Sequence, residues 1–262
     1  MAVDIDKDIK KSLARHPNIR WRKLSFPVRK RAREFLRLRS GSELTKLSSN
    51  SMRGLKSFHF EEDDVVTFRD QGWLFIEEFL SVDSHRKLAS NWPRTRWFQP
   101  LKSSKSKTYD SAFQLYVRQT PDALVHKALQ DVYRFFSSTE FESQVSKLSV
   151  DDAIMQCYWT TTIQSYYGSG LAPHRDTPEI DSSGRDRRIN LIYFVDSNGQ
   201  GWEAGGTAIL KSNKFSDPVF IPGILKNSLL IYETGAPFFH GFPPIKFGKF
   251  RRVLTVHYKA FD

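Results

Sequence analysis

The second half of the chain is a series of short runs rich in β-branched and aromatic residues, and this series limits the fold more than any other feature. The runs are Ile154–Tyr167, Arg188–Val195, Thr207–Leu210, Val219–Ile221, Ser228–Tyr232 and Arg251–Tyr258, separated by clusters of Gly, Pro, Asn and Asp. Such residues suit a pleated, half-buried surface, and the clusters supply turns. Short strands in series predict an antiparallel sandwich or jelly roll. Helical patterns come first. Ser81-Val82-Asp83-Ser84 supplies capping residues for a predicted helix running to about Asn91, and residues 121–148 carry an apolar helical stripe through Ala123, Leu124, Ala128, Leu129, Val132, Phe135 and Phe136. Between residues 65 and 76 the pattern predicts a short element, a turn at Gly72 and a strand. The expected class is α+β with a mainly β core over about 150–260 and helices packed around it.

Charge divides the chain. Residues 1–55 hold 15 Lys/Arg against five acids, whereas residues 56–262 hold 25 against 24. This shift predicts a basic N-terminal extension (1–55) joined to one large domain (56–262). Within the extension, residues 28–39 read as a basic amphipathic helix, and residues 40–57 as a Ser-rich linker. Such a helix suits either packing on the domain or contact with an anionic surface. Residues 100–110, rich in Lys and Ser, read as a mobile loop. Cys157 is the only cysteine, which excludes an intrachain disulfide and a cysteine-based metal site. With no apolar run of about 20 residues and no secretory pattern, the expected location is cytoplasmic, or peripheral at a membrane surface.

Three features of the β region carry chemistry. In His174-Arg175-Asp176, positions i and i+2 of a strand share a face, so an imidazole and a carboxylate can converge on one metal ion. His240 follows 64 residues after Asp176, beyond the apolar run Ser228–Tyr232. Two histidines and one carboxylate make the facial triad of non-haem Fe(II) oxygenases, which leaves three positions open. Arg251 and Arg252 open the last run, where a guanidinium can hold a carboxylate through two parallel hydrogen bonds.

In this order, the features resemble the 2-oxoglutarate/Fe(II)-dependent dioxygenases, especially the branch similar to prolyl 4-hydroxylases. The resemblance extends loosely over 60–260 and well over 150–260. Tyr166-Tyr167-Gly168 leading to Pro173-His174 looks like the approach to the first two ligands. Trp202-Glu203-Ala204-Gly205-Gly206-Thr207 looks like the family's W-x-x-G-G turn, and Phe239-His240-Gly241 like the distal ligand. The resemblance implies a double-stranded β-helix, jelly-roll or cupin-like. It also implies Fe(II) held by His174, Asp176 and His240, with 2-oxoglutarate and O2 as co-substrates and ascorbate as a candidate addition.

The family's Thr four residues after the binding Arg favours Arg251, with Thr255, for the far carboxylate of 2-oxoglutarate; Arg252 remains the alternative. Tyr158, Gln156, Tyr166 or Tyr167, and Asn190 are further pocket candidates on the neighbouring strands. His257 shares the Arg251 face. Residues 175–188 are expected to shape the mouth of the site.

The implied reaction is hydroxylation of an unactivated C–H bond of a small molecule, sugar or protein side chain, with release of succinate and CO2. The alternatives are a non-catalytic jelly-roll binding module and a nucleic-acid-directed oxygenase that uses the basic N-terminus as an electrostatic anchor. Nucleic acid is not the expected substrate, because position 257 is His where the nucleic-acid demethylases carry a second Arg. Asp176 argues against the halogenating relatives, which lack that carboxylate.

Overall fold

The computed structural model describes residues 58–93, 98–100, 112–115, 126–149, 153–176 and 188–260. The predicted basic helix, the linker, the 100–110 loop, the helix start near Pro121 and most of the 175–188 loop lie outside the described residues.

Alternation along the strands builds two antiparallel sheets. The major sheet has seven strands: β1 (Trp73–Ile76), β2 (Gln99–Pro100), β3 (Ala112–Leu115), β4 (Met155–Tyr166), β6 (Arg188–Ser197), β9 (Ser228–Glu233) and β11 (Phe250–Ala260). Their order is β1-β9-β6-β11-β4-β3-β2. The minor sheet has β5 (Leu171–His174), β7 (Ala208–Leu210), β8 (Pro218–Phe220) and β10 (Phe239–Phe242), in the order β5-β10-β7-β8. Together they form the expected double-stranded β-helix, mainly β within an α+β chain.

Among the described residues, four α-helices belong to the layer outside the major sheet: α1 (Glu62–Gln71), α2 (Val82–Ser90), α3 (Lys127–Phe136) and α4 (Thr139–Leu148). The short element expected before Gly72 is a full helix, because three acids favour its first turn and Gly72 ends it in the left-handed region. The single helix expected over 121–148 is two. The Ser137 and Ser138 hydroxyls bond back to the Tyr133 and Phe135 carbonyls, and Ser138 then accepts from the Phe141 amide as the cap of α4. Buried Asn227 ties this layer to the sheet. Its amide bonds both the N–H and the C=O of Leu80, and its Oδ1 accepts from the Tyr193 hydroxyl.

Period two sorts the side chains of the major sheet into two cores. Leu191, Tyr193, Leu229, Ile231, Leu254, Val256 and Tyr258 face the helices and meet Phe136 and Phe141. Ile192, Phe194, Leu230, Tyr232 and Val253 face the minor sheet and meet Ile209 and Phe238. The second face, between the sheets, carries the site. Among the described residues, no helix is long and apolar enough to cross a membrane.

Candidate metal centre

His174 ends β5 and His240 lies on β10, and the two are direct cross-strand partners. This pairing joins residues 66 positions apart in the chain. It depends on Gly241, where an added Cβ would lie 2.5 Å from the Leu171 carbonyl oxygen. Asp176 follows two residues after His174. Its Oδ1 lies 3.4 Å from His174 Nε2 and 3.7 Å from His240 Nε2. All three ligand atoms fall within 4.8 Å of one another. Metal bonds of about 2 Å meeting near right angles put ligand atoms roughly 3 Å apart, so the spacing suits one small cation.

The donor set also fits. His174 Nδ1 lies 2.9 Å from the Ala172 carbonyl and donates to it, which leaves Nε2 with its lone pair toward the cluster. Burial holds the His240 imidazole down at about 4, against the pull of Asp176, so it is neutral at pH 7. For Asp176, burial opposes ionisation, but the imidazoles of His174, His240 and His257 around it favour the charged carboxylate and outweigh burial. The carboxyl stays well below the usual range. Burial pulls His174 down as well, yet its bonds to Asp176 and Ala172 prevail and the net shift is upward. Two imidazole nitrogens and one carboxylate on one side of a cation fit the facial triad.

Arg251 is buried at the start of β11, on the same face as Val253, Thr255 and His257. Its Nη1 donates to the Gly205 carbonyl and, at 3.1 Å, to the Thr207 hydroxyl. Both acceptors are neutral, so they orient the guanidinium without cancelling its charge. The Phe242 ring lies 4.1 Å beneath it. The Gly-Gly turn makes this seat: Gly205 has φ +86°, and a Cβ there would lie 2.8 Å from Arg251 Cδ. Arg252 points to the other face and reaches Asp196 at 3.4 Å, half-exposed.

The remaining candidates divide. Asn190 is in the site, but its amide Nδ2 donates to Asp176 Oδ2 at 2.7 Å instead of standing ready for a co-substrate. Thr255 is partly buried on the inner face, paired with Ile192 and Thr161. Tyr158 stands one step back, with its ring 6.2 Å from that of His257. Tyr167 does not join them. It is 60% exposed and meets the outlying Phe247 ring, because it lies past the end of β4. Gln156 is exposed as well, and Tyr166 packs on the helix-side core. For Tyr166 the physical cause is a change of phase. A bulge opposite His257 and Tyr258 shifts β4, so Trp159, Thr161, Ile163 and Ser165 take the inner positions. Thr162 and Gln164 then turn to the other side, toward Tyr133 and Trp92.

Sequence reasoning assigned no role to Tyr232 or Thr207. The Tyr232 hydroxyl lies 3.3 Å from Asp176 Oδ2 and 3.4 Å from His240 Nε2. Its strand is apolar on both faces, so alternation carries no signal there. Thr207 follows the Gly-Gly turn, and its place in that motif was the available signal.

No protein-family model and no curated protein sequence matches the chain. Solved structures do match. A prolyl hydroxylase from Trichoplax adhaerens, in complex with a hypoxia-inducible-factor peptide fragment, aligns with a TM-score of 0.57 at 16% identity. The alignment covers 75% of this chain and 87% of that one. HygX from Streptomyces hygroscopicus, with nickel and 2-oxoglutarate bound, aligns at 0.56 and 11% identity over 77% and 87%. A Pseudomonas putida prolyl-4-hydroxylase aligns at 0.52 and 14% identity over 76% and 98%. The fold is therefore that of the 2-oxoglutarate/Fe(II) oxygenases, including prolyl hydroxylases.

Proposed function

We propose that this chain, which has the fold of the 2-oxoglutarate/Fe(II) oxygenases, is an Fe(II)- and 2-oxoglutarate-dependent dioxygenase. The reaction is hydroxylation of an unactivated C–H bond in a small molecule, sugar or protein side chain. In balance, substrate, 2-oxoglutarate and O2 give hydroxylated substrate, succinate and CO2. The observation that supports this reading most strongly is the His174–Asp176–His240 cluster on the minor sheet together with a buried guanidinium on the inner face of the major sheet. A metal module without catalysis has no use for that second feature.

Bound Fe(II) and 2-oxoglutarate would supply the oxidising power that side chains lack. The chain supplies the rest. His174 Nε2, His240 Nε2 and one Asp176 oxygen would hold the cation. Arg251, fixed by Gly205 and Thr207, would hold the far carboxylate of the co-substrate through a charge-assisted hydrogen-bond pair. Phe242 and Phe194 flank that guanidinium and keep water from competing for it. The +10 balance of residues 1–55 favours contact with an anionic surface.

The test is anaerobic. Adding Fe(II) and then 2-oxoglutarate to the full chain should produce a visible charge-transfer band. Asp176→Ala should abolish the band. Arg251→Ala should raise the 2-oxoglutarate concentration needed by about 100-fold, the scale of a lost buried ionic hydrogen-bond pair. Iron binding without any band would overturn the co-substrate assignment and favour a binding module.

A further inference from the structure

Asp176 has two oxygens in different surroundings. Oδ1 faces both imidazoles, at 3.4 Å and 3.7 Å. Oδ2 accepts from Asn190 Nδ2 at 2.7 Å and lies 3.3 Å from the Tyr232 hydroxyl. An asparagine amide can present either its N–H or its C=O, and nothing in Asn190 alone selects the donor end. His257 makes the selection. Its Nδ1 lies 2.7 Å from Asn190 Oδ1, so an imidazole N–H there pins the carbonyl and turns the NH2 group to Asp176. The two residues are cross-strand partners on β6 and β11, which puts both side chains on the inner face.

We propose that Asn190 and His257 are positioning residues that hold Asp176 with one oxygen toward the metal and the other tied back. The inference rests on the reading of the cluster as a metal centre. A carboxylate free to turn could bind through both oxygens and occupy a further coordination position. With Oδ2 engaged, one position is spent and three stay open for co-substrate and oxygen. The relay is built across strands 67 residues apart and reaches the metal only through Asp176. Outer hydrogen bonds of this kind typically alter metal affinity by 10- to 100-fold.

The probe is Co(II) alone, a spectroscopically visible substitute for Fe(II), added to the full chain without 2-oxoglutarate. Affinity is read by calorimetry and geometry by the visible d–d bands. Asn190→Leu should weaken Co(II) binding by about 10- to 100-fold and shift the bands. His257→Leu should weaken it by about tenfold, because the Asn190 amide is then free to turn its carbonyl toward Asp176. His257→Asn, whose amide N–H takes the place of Nδ1–H, should recover most of that loss. Melting curves of the metal-free variants separate folding from binding, and the His257 pair decides the matter if Asn190→Leu fails to fold.

Unchanged affinity in His257→Leu overturns the proposal, as does His257→Asn binding no better than His257→Leu. Absence of Co(II) binding in the unaltered chain overturns it too. Co(II) binding with the expected variant pattern, but no 2-oxoglutarate band with Fe(II), would sink the dioxygenase reading and leave this inference standing.

Discussion

The two faces of the major sheet are made by the same strands and behave as different materials. On the helix side, β11 contributes Leu254, Val256 and Tyr258 to a dry aromatic cluster with Phe136 and Phe141. On the inner side it contributes Arg251 and His257, each held by hydrogen bonds to a neighbouring strand or turn. Non-directional burial supplies most of the stability on the first face. On the second face, polar groups are buried with partners, and their geometry matters more than their area. A strand can therefore be anchored by one set of residues while the alternate set is left to chemistry.

Substitutions should separate the two faces. Asp176→Ala, in the site that the inner face lines, should lower any 2-oxoglutarate turnover by about 1,000-fold or more, the scale of losing a metal ligand. The melting temperature of the metal-free protein should move by only a few degrees. A large loss of folding instead would mean that the centre is structural.

Phe136→Ala, on the helix side, should do the reverse. It should cost about 3–5 kcal/mol of stability by opening a cavity, measured by urea denaturation. The folded fraction should keep its Co(II) affinity. Loss of metal affinity at low denaturant would show that the faces are coupled.

Acid should sharpen the contrast. His240 and His257 are held at about 4 in the folded chain, against 6.5 for a free imidazole. Between those values the unfolded chain binds more protons, so stability rises with pH across the window and is lost as the pH falls through it. The effect is on the order of 3 kcal/mol per histidine between pH 7 and pH 4. His174, shifted upward, works the other way: its contribution is present below 6.5 and fades as the pH rises through its folded value. Thermal melts of metal-free protein at pH 7 and 4.5 should show net destabilisation in acid. Phe136→Ala should lower both melts by the same free energy. A larger loss at one pH would place helix-side packing in the titrating network.

The smallest effect belongs to neither face. Phe247 is 85% exposed and touches Tyr167 outside both cores. Phe247→Ala should change stability by less than about 0.5 kcal/mol and leave the charge-transfer band intact. Loss of the band would bring Tyr167 back as a site residue.

Much of this arrangement is legible in the chain. Strand-rich runs between turn residues specify the β core, and His174 and Asp176 lie within reach of one ion, although β5 ends at His174 and Asp176 is past it. Period-two alternation on β11 puts Arg251 with Val253, Thr255 and His257, as the structure shows. These are properties of near neighbours, carried by backbone geometry alone. Local side-chain bonds and the tertiary structure decided the rest. The Ser137–Ser138 break depends on local hydroxyl bonds that compete with a continuous helix. The bulge in β4 reversed the phase of the residues after Tyr158, turning Tyr166 away from the inner face and bringing Trp159 opposite His257. Tyr232, Thr207 and the Asn190–His257 pair entered the site through strand register, which joins positions far apart in the chain. A slip of one residue turns every side chain of a strand to the opposite face, so such partners exist only once the sheets have paired.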